Sequence, residues 1–255
     1  MARIRLAVWL GLVVAAMVLP QNSVAASKAA VTGAHKGAQR TAAAKDAGKA
    51  LSYTEIFPAT KLAPATEKET AALREASAAY GKRDYAKAVS LLTPLAEGGS
   101  ARAAFSLGLM AVRGHGMPMS TEKAEWWWVR SAKGGFPEAQ YHLGLMHHQA
   151  LRGARDPELI AHLWNLAAAQ GQGEAMFGLG FMYRAGDGVP KDLKKSAAMF
   201  TRAANLGHPG AQYELGLMYK YGRGGVSKNA AKAGEYLKKA SDAGVPQARQ
   251  ELSKK

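Results

Sequence analysis

The stretch Ala139-Gln140-Tyr141-His142-Leu143-Gly144-Leu145-Met146 decides the fold, because it is one of four. The same eight positions recur as Ala103-Ala104-Phe105-Ser106-Leu107-Gly108-Leu109-Met110, Ala175-Met176-Phe177-Gly178-Leu179-Gly180-Phe181-Met182 and Ala211-Gln212-Tyr213-Glu214-Leu215-Gly216-Leu217-Met218. Successive copies start 36 residues apart, and self-similarity at such a period is the signature of stacked structural repeats. A second block keeps the same phase: Trp127-Trp128, Leu163-Trp164, Met199-Phe200 and Tyr236-Leu237. Each is followed three residues on by a small pair, Ser131-Ala132, Ala167-Ala168, Ala203-Ala204 and Ala240-Ser241, and only the last copy is displaced, by one residue at Gly225.

Each unit therefore reads as two helices. In the first, the alanine, leucine and methionine at offsets 0, 4 and 7 form one helical stripe, and the residues at offsets 2 and 6 form another, so the helix is covered on two sides. Alanine at offset 0 and glycine at offset 5 let a neighbouring helix approach closely, a gain that outweighs the roughly 1 kcal/mol a glycine costs a helix. The glycine pairs Gly114/Gly116, Gly186/Gly188 and Gly222/Gly224 sit where the chain must turn into the second helix, which suits positive φ. A phosphate-cradling loop would need a following Lys-Ser/Thr, and none is there. In the second copy Ala150 and Arg152 replace the turn glycines, which predicts a longer helix from Pro137 and a different turn at Gly153. The fold class expected is all-α: a right-handed α-solenoid of antiparallel helix pairs. Its helical domain spans 66–255, as a degenerate pair over 66–99 opened by the capping pattern Thr66-Glu67-Lys68-Glu69, repeats over 100–135, 136–171, 172–207 and 208–244, and a C-terminal cap over 245–255.

The strings Ala-Gln-Tyr-x-Leu-Gly-x-Met-Tyr, Gly186-Asp187-Gly188-Val189-Pro190-Lys191-Asp192 and the aromatic pair before Ala-Ala resemble the Sel-one-like repeat, a relative of the tetratricopeptide repeat. The resemblance is strong over Ala103 to Ala248 and weak over Glu67 to Ser100. It implies an α-solenoid serving as an adaptor in protein complexes, in bacteria often exported and tied to envelope signalling, polysaccharide regulation or host contact. Some exported relatives are stapled by disulfides; this chain has no cysteine, so its fold stands on packing.

The N-terminus reads as a signal peptide over residues 1–26: Arg3 and Arg5, an apolar run from Leu6 to Leu19, Pro20, and Val24-Ala25-Ala26 with cleavage after Ala26. The run is shorter than the ~20 residues that span a bilayer, so no transmembrane segment is expected in the mature chain, which would be periplasmic or secreted. Residues 27–65 read as a disordered basic tether, rich in alanine, glycine and lysine, with Tyr53, Ile56 and Phe57 as its one candidate docking point. The 255-residue chain carries 34 Lys and Arg against 19 Asp and Glu, a net charge of +15 that favours anionic partners. Export argues against nucleic acid and leaves a protein partner, acidic or extended, or an anionic polysaccharide.

Catalytic constellations are looked for and given bland readings. Ser120-Thr121-Glu122-Lys123 matches S-x-x-K but lacks companion motifs, and Ser120 stands where a helix needs a cap. Asp187 and Asp192 belong to a repeat turn, and Glu122 and Glu125 to the start of a helix, where acids are favoured. His142, His147 and His148 have spacings of 5, 6 and 1 rather than the i, i+4 of a zinc helix. No catalytic residue, metal or cofactor is therefore assigned. The expected function is an exported, non-catalytic interaction scaffold of the bacterial envelope, with a binder of acidic polysaccharide or cell-wall polymer as the alternative and a cell-wall hydrolase a distant third. Divergence between copies marks the partner surface: Arg113, Arg184, Lys220 and Tyr221 near the ends of first helices, His142 and His148, and Trp126, which aligns with the variable His162, Ala198 and Glu235.

Overall fold

The computed structural model describes residues 52–151 and 153–254. The signal peptide reading, the tether up to residue 51, Arg152 and Lys255 lie outside the described residues. Among the described residues the chain is helical and contains no strand. A single turn, α1 (Tyr53–Ile56), precedes five helix pairs: α2 (Glu67–Gly81) with α3 (Tyr85–Glu97), α4 (Ala101–Arg113) with α5 (Thr121–Lys133), α6 (Pro137–His148) with α7 (Pro157–Ala169), α8 (Gly173–Ala185) with α9 (Leu193–Asn205), and α10 (Pro209–Tyr221) with α11 (Ala230–Asp242). A last helix, α12 (Pro246–Ser253), packs on α11. Each helix from α2 on packs against the next in sequence, which makes the stack an α-solenoid.

The second helices all start in the same way. Asp84, Ser120, Asp156, Asp192 and Asn229 each accept a hydrogen bond from the backbone N–H three residues on, at 2.9–3.1 Å. A side-chain cap of this kind stabilises a helix by about 1 kcal/mol, and here it fixes where every turn ends. Ser120 is one of these caps, which accounts for its place in the S-x-x-K string. The first helices α4, α8 and α10 end on Gly114, Gly186 and Gly222 in the left-handed conformation. In the second repeat the expected longer helix does not form: α6 stops at His148, and Ala150 itself takes the left-handed conformation (φ 52°) in place of a glycine.

Packing explains the offset-5 glycines more sharply than a close helix approach does. A Cβ added at Gly108 or Gly144 would meet the indole Nε1 of Trp128 or Trp164 at 2.3 or 2.4 Å, at Gly180 it would meet Phe200 at 2.5 Å, and at Gly216 Leu237 at 2.8 Å. The second helix of each pair thus lays one large side chain on the bare backbone of the first. Trp128 and Trp164 also donate their indole N–H to the carbonyls of Phe105 (3.3 Å) and Tyr141 (3.2 Å). Beneath them the offset-4 leucines, Leu107, Leu143, Leu179 and Leu215, are wholly buried, as are the offset-0 alanines. Of the recurring pair Trp127-Trp128, only Trp128 is buried; Trp127 is half-buried at the margin of the cluster formed by α2 to α4.

The reading of residues 27–65 as one disordered tether gives way at Ser52. From there the chain packs on the repeats: α1 carries a capping box on Ser52, and Phe57, 5% exposed, enters the cluster of Phe105, Phe136, Leu143 and Leu163. No helix among the described residues is long and apolar enough to cross a membrane.

Candidate interaction surface

The divergent ends of the first helices are joined from repeat to repeat. Arg184 at the end of α8 meets Glu214 of α10 at 2.9 Å, and Lys220 at the end of α10 meets Glu251 of α12 at 2.9 Å, while the Tyr221 hydroxyl donates to the same carboxylate at 3.2 Å. Lys254 also pairs with Glu251, and Lys254 and Lys220 together hold that carboxyl down to about 2. Arg184 in addition lies over the Phe181 ring, 4.5 Å from its centroid. These cations bridge adjacent repeats; each is committed before a partner arrives. Arg113 reaches back to the Tyr80 hydroxyl at 3.1 Å, where Tyr80 also meets His115, stacked in turn on Tyr85.

His142 and His148 of α6 pack against aromatic rings, while His147 lies 4.0 Å from the Glu125 carboxylate. The rings of Phe105, Trp128 and Tyr141 all lie within 5.5 Å of the His142 ring, centroid to centroid, and burial, with Arg113 nearby, pushes the imidazole down to about 4. His142 is neutral at physiological pH and presents no positive charge. His148 is exposed and stacks on Trp164. Trp126, half exposed, stands edge-on to Trp127 with the Arg130 guanidinium 4.7 Å above its ring. Of the seven sequence-assigned residues, Lys220 and Tyr221 share a carboxylate, Arg184 belongs to the rung before it, and Trp126 has its own cationic neighbour. The carboxylates weighed for chemistry are also committed, Asp192 to its cap and Asp187 to a two-pronged pair with Arg155 that lowers its carboxyl.

A second surface lies where Tyr53, Ile56 and Phe57, the candidate docking point of the N-terminal segment, meet the repeats. Residues 52–65 run from α7 past the α5–α6 turn to the start of α4. The Tyr53 hydroxyl donates to Asp156 Oδ2, the same carboxylate whose Oδ1 caps α7, and burial followed by that carboxylate pushes the phenol up to about 12. His162 Nε2 bonds the Phe57 carbonyl at 2.9 Å. The chain next crosses Gly135, where Thr60 O occupies the space a Cβ would need, and Arg102 donates to the Ala63 carbonyl at 2.9 Å. The variable position carrying His162 had been noted; its partner, more than a hundred residues away, leaves no trace in the repeat pattern.

Comparison with known proteins agrees with this geometry. The Sel1 repeat family matches residues 75–100, 101–136, 137–172, 173–208 and 209–245. A Sel1 repeat protein from Oxalobacter formigenes is 37% identical over 66% of this chain and 49% of its own, with a TM-score of 0.61. The protein c5321, a protective antigen of uropathogenic Escherichia coli with the same repeat fold, is 29% identical over 72% of this chain and 40% of its own, with a TM-score of 0.65. The chain thus spans half or less of the length of these two proteins. A search of curated proteins finds no match. Sel1 repeat proteins are generally non-catalytic protein-interaction scaffolds. Five matched units covering most of the described residues, with relatives that share both sequence and stack, make this chain a member of the Sel1 repeat family.

Proposed function

We propose that this chain is an exported, non-catalytic scaffold that assembles protein partners in the bacterial cell envelope. The observation that carries the scaffold reading is the division of labour within each repeat: the positions that recur are spent on burial, while those that diverge, such as Trp126, His162 and Glu235, lie partly or fully at the surface. A solenoid built this way offers extended surface rather than an enclosed site. Export rests on the sequence of residues 1–26 alone.

An anionic polysaccharide is the second reading, favoured by the basic composition. Against it, Arg184 and Lys220 already face carboxylates, which breaks up a continuous basic track. Chemical crosslinking in intact cells followed by purification of the tagged full chain separates the two. The scaffold reading expects a defined protein recovered with a mature chain starting at Ser27. Recovery of an acidic polymer without protein, released by moderate salt, would favour the second reading, and an unprocessed chain in the cytoplasm would remove export.

A further inference from the structure

The surface beneath residues 52–65 has the construction of a peptide-recognition groove. It holds its occupant through four apolar anchors, Tyr53, Ile56, Phe57 and Leu62, and through backbone carbonyls at Phe57 and Ala63. Between these anchors the segment is exposed, and of its side chains only Phe57 is fully buried. A short strap with one buried anchor and two prolines, Pro58 and Pro64, opens locally at far lower cost than the repeats unfold.

Two features separate this groove from generic packing. One of its polar contacts comes from a position that differs between repeats: where α7 presents His162, the equivalent residues are Trp126, Ala198 and Glu235, none of which supplies an imidazole to a carbonyl. Asp156 divides its oxygens between its own helix cap and the incoming phenol; the equivalent Asp84 and Asp192 cap their helices in the same way, so what is particular to this repeat is the phenol that the second oxygen receives. The strap also occupies a turn that stays open in the other repeats. At Gly135 the strap fills the space beside the turn, while the equivalent glycines at 99, 171, 207 and 244 have nothing within 4 Å of where a Cβ would stand.

We propose that this groove is a linear-motif binding site held closed in cis, and that it takes from a partner protein an unstructured segment with the pattern of its own occupant: Tyr, then Ile-Phe three and four residues later on a single helical turn, followed by an extended stretch with one leucine anchor. Residues 52–65 are then a resident competitor that a partner must displace. The proposal rests on the scaffold reading but not on export, and its test is a binding measurement in solution, so its failure would leave that reading standing.

The test uses the purified chain from Ser27 onward and a fluorescent synthetic peptide of residues 52–65, with binding followed by anisotropy. Because the apparent affinity of a site falls with the fraction of molecules in which it is open, the variant Y53A/F57A is expected to bind the peptide at least about tenfold more tightly than wild type. Adding D156A/H162A to that variant is expected to abolish binding with helicity retained, and a peptide bearing Phe57→Ala is expected not to bind. Should Y53A/F57A fail to fold, Y53F keeps the buried anchor and is expected to show a smaller gain of the same sign. A folded Y53A/F57A variant that binds no better than wild type would overturn the proposal. So would a wild-type dimer in sedimentation that Y53A/F57A dissociates, because the occupant would then come from a second copy.

Discussion

The ring of Trp164 fills the space above Gly178: a Cβ at that glycine would lie 2.5 Å from Cζ3. The other edge of the same indole covers Gly144, so one side chain of α7 is wedged between the first helices of two successive repeats. Gly178→Ala is expected to destabilise the protein by about 1–3 kcal/mol, although alanine improves helix propensity by roughly 1 kcal/mol, because the indole has to leave its place. Urea denaturation measures this; a stabilised variant would show that the wedge is loose.

Arg184 and Glu214 form a rung between α8 and α10. Arg184→Glu is expected to lower stability by no more than about 1 kcal/mol, since the guanidinium is half exposed, and the loss should shrink in high salt. The double variant R184E/E214R should recover most of it. A double-mutant cycle with no coupling would remove the rung from the account of stability.

His142 gives stability a defined pH dependence. Its folded-state pKa, about 4, lies below the 6.5 of an unfolded histidine, so between those values the unfolded chain binds the extra proton. The contribution is intact above pH 6.5 and is lost as pH falls toward 4, by roughly 3 kcal/mol at most. His115, His147 and His208 are displaced in the same direction by burial, so His142→Phe is expected to reduce the acid-side slope without abolishing it. An unchanged slope between pH 6.5 and 4 would contradict the enclosed, neutral ring.

Trp126 and Trp128 differ by two residues and by their environment. Trp128→Ala removes a ring buried on Gly108 and should cost about 3–5 kcal/mol. Trp126→Ala removes a half-exposed ring and should leave stability within about 0.5 kcal/mol of wild type. Thermal melts of the two variants decide it, and a large loss at Trp126 would make it a packing residue.

Much of the fold is legible in the sequence. The phase of Leu143-Gly144 and Trp164 gives the helix pairs and their order, and the Gly108 series signals a close approach, because local pattern and burial coincide in a repeat. The rungs have a sequence signal too: Arg184 and Lys220 recur at one offset, and Glu214 and Glu251 follow 30 and 31 residues later. His142 occupies a position whose equivalents vary, and Phe105 and Trp128 pack against its ring. The docking of Tyr53 on Asp156 had no periodic signal, since it joins a non-repeating segment to one repeat across 103 residues.

The central claim, that this scaffold recognises a protein segment on the face of α7, is tested most directly by a photo-crosslinking residue at Asn165, exposed and one turn beyond His162, in the full chain inside its native cell. The account predicts a discrete protein adduct that becomes stronger in the Y53A/F57A background, where the groove stands open. Absence of any protein adduct in both backgrounds, with the chain folded and present at its normal level, would contradict it.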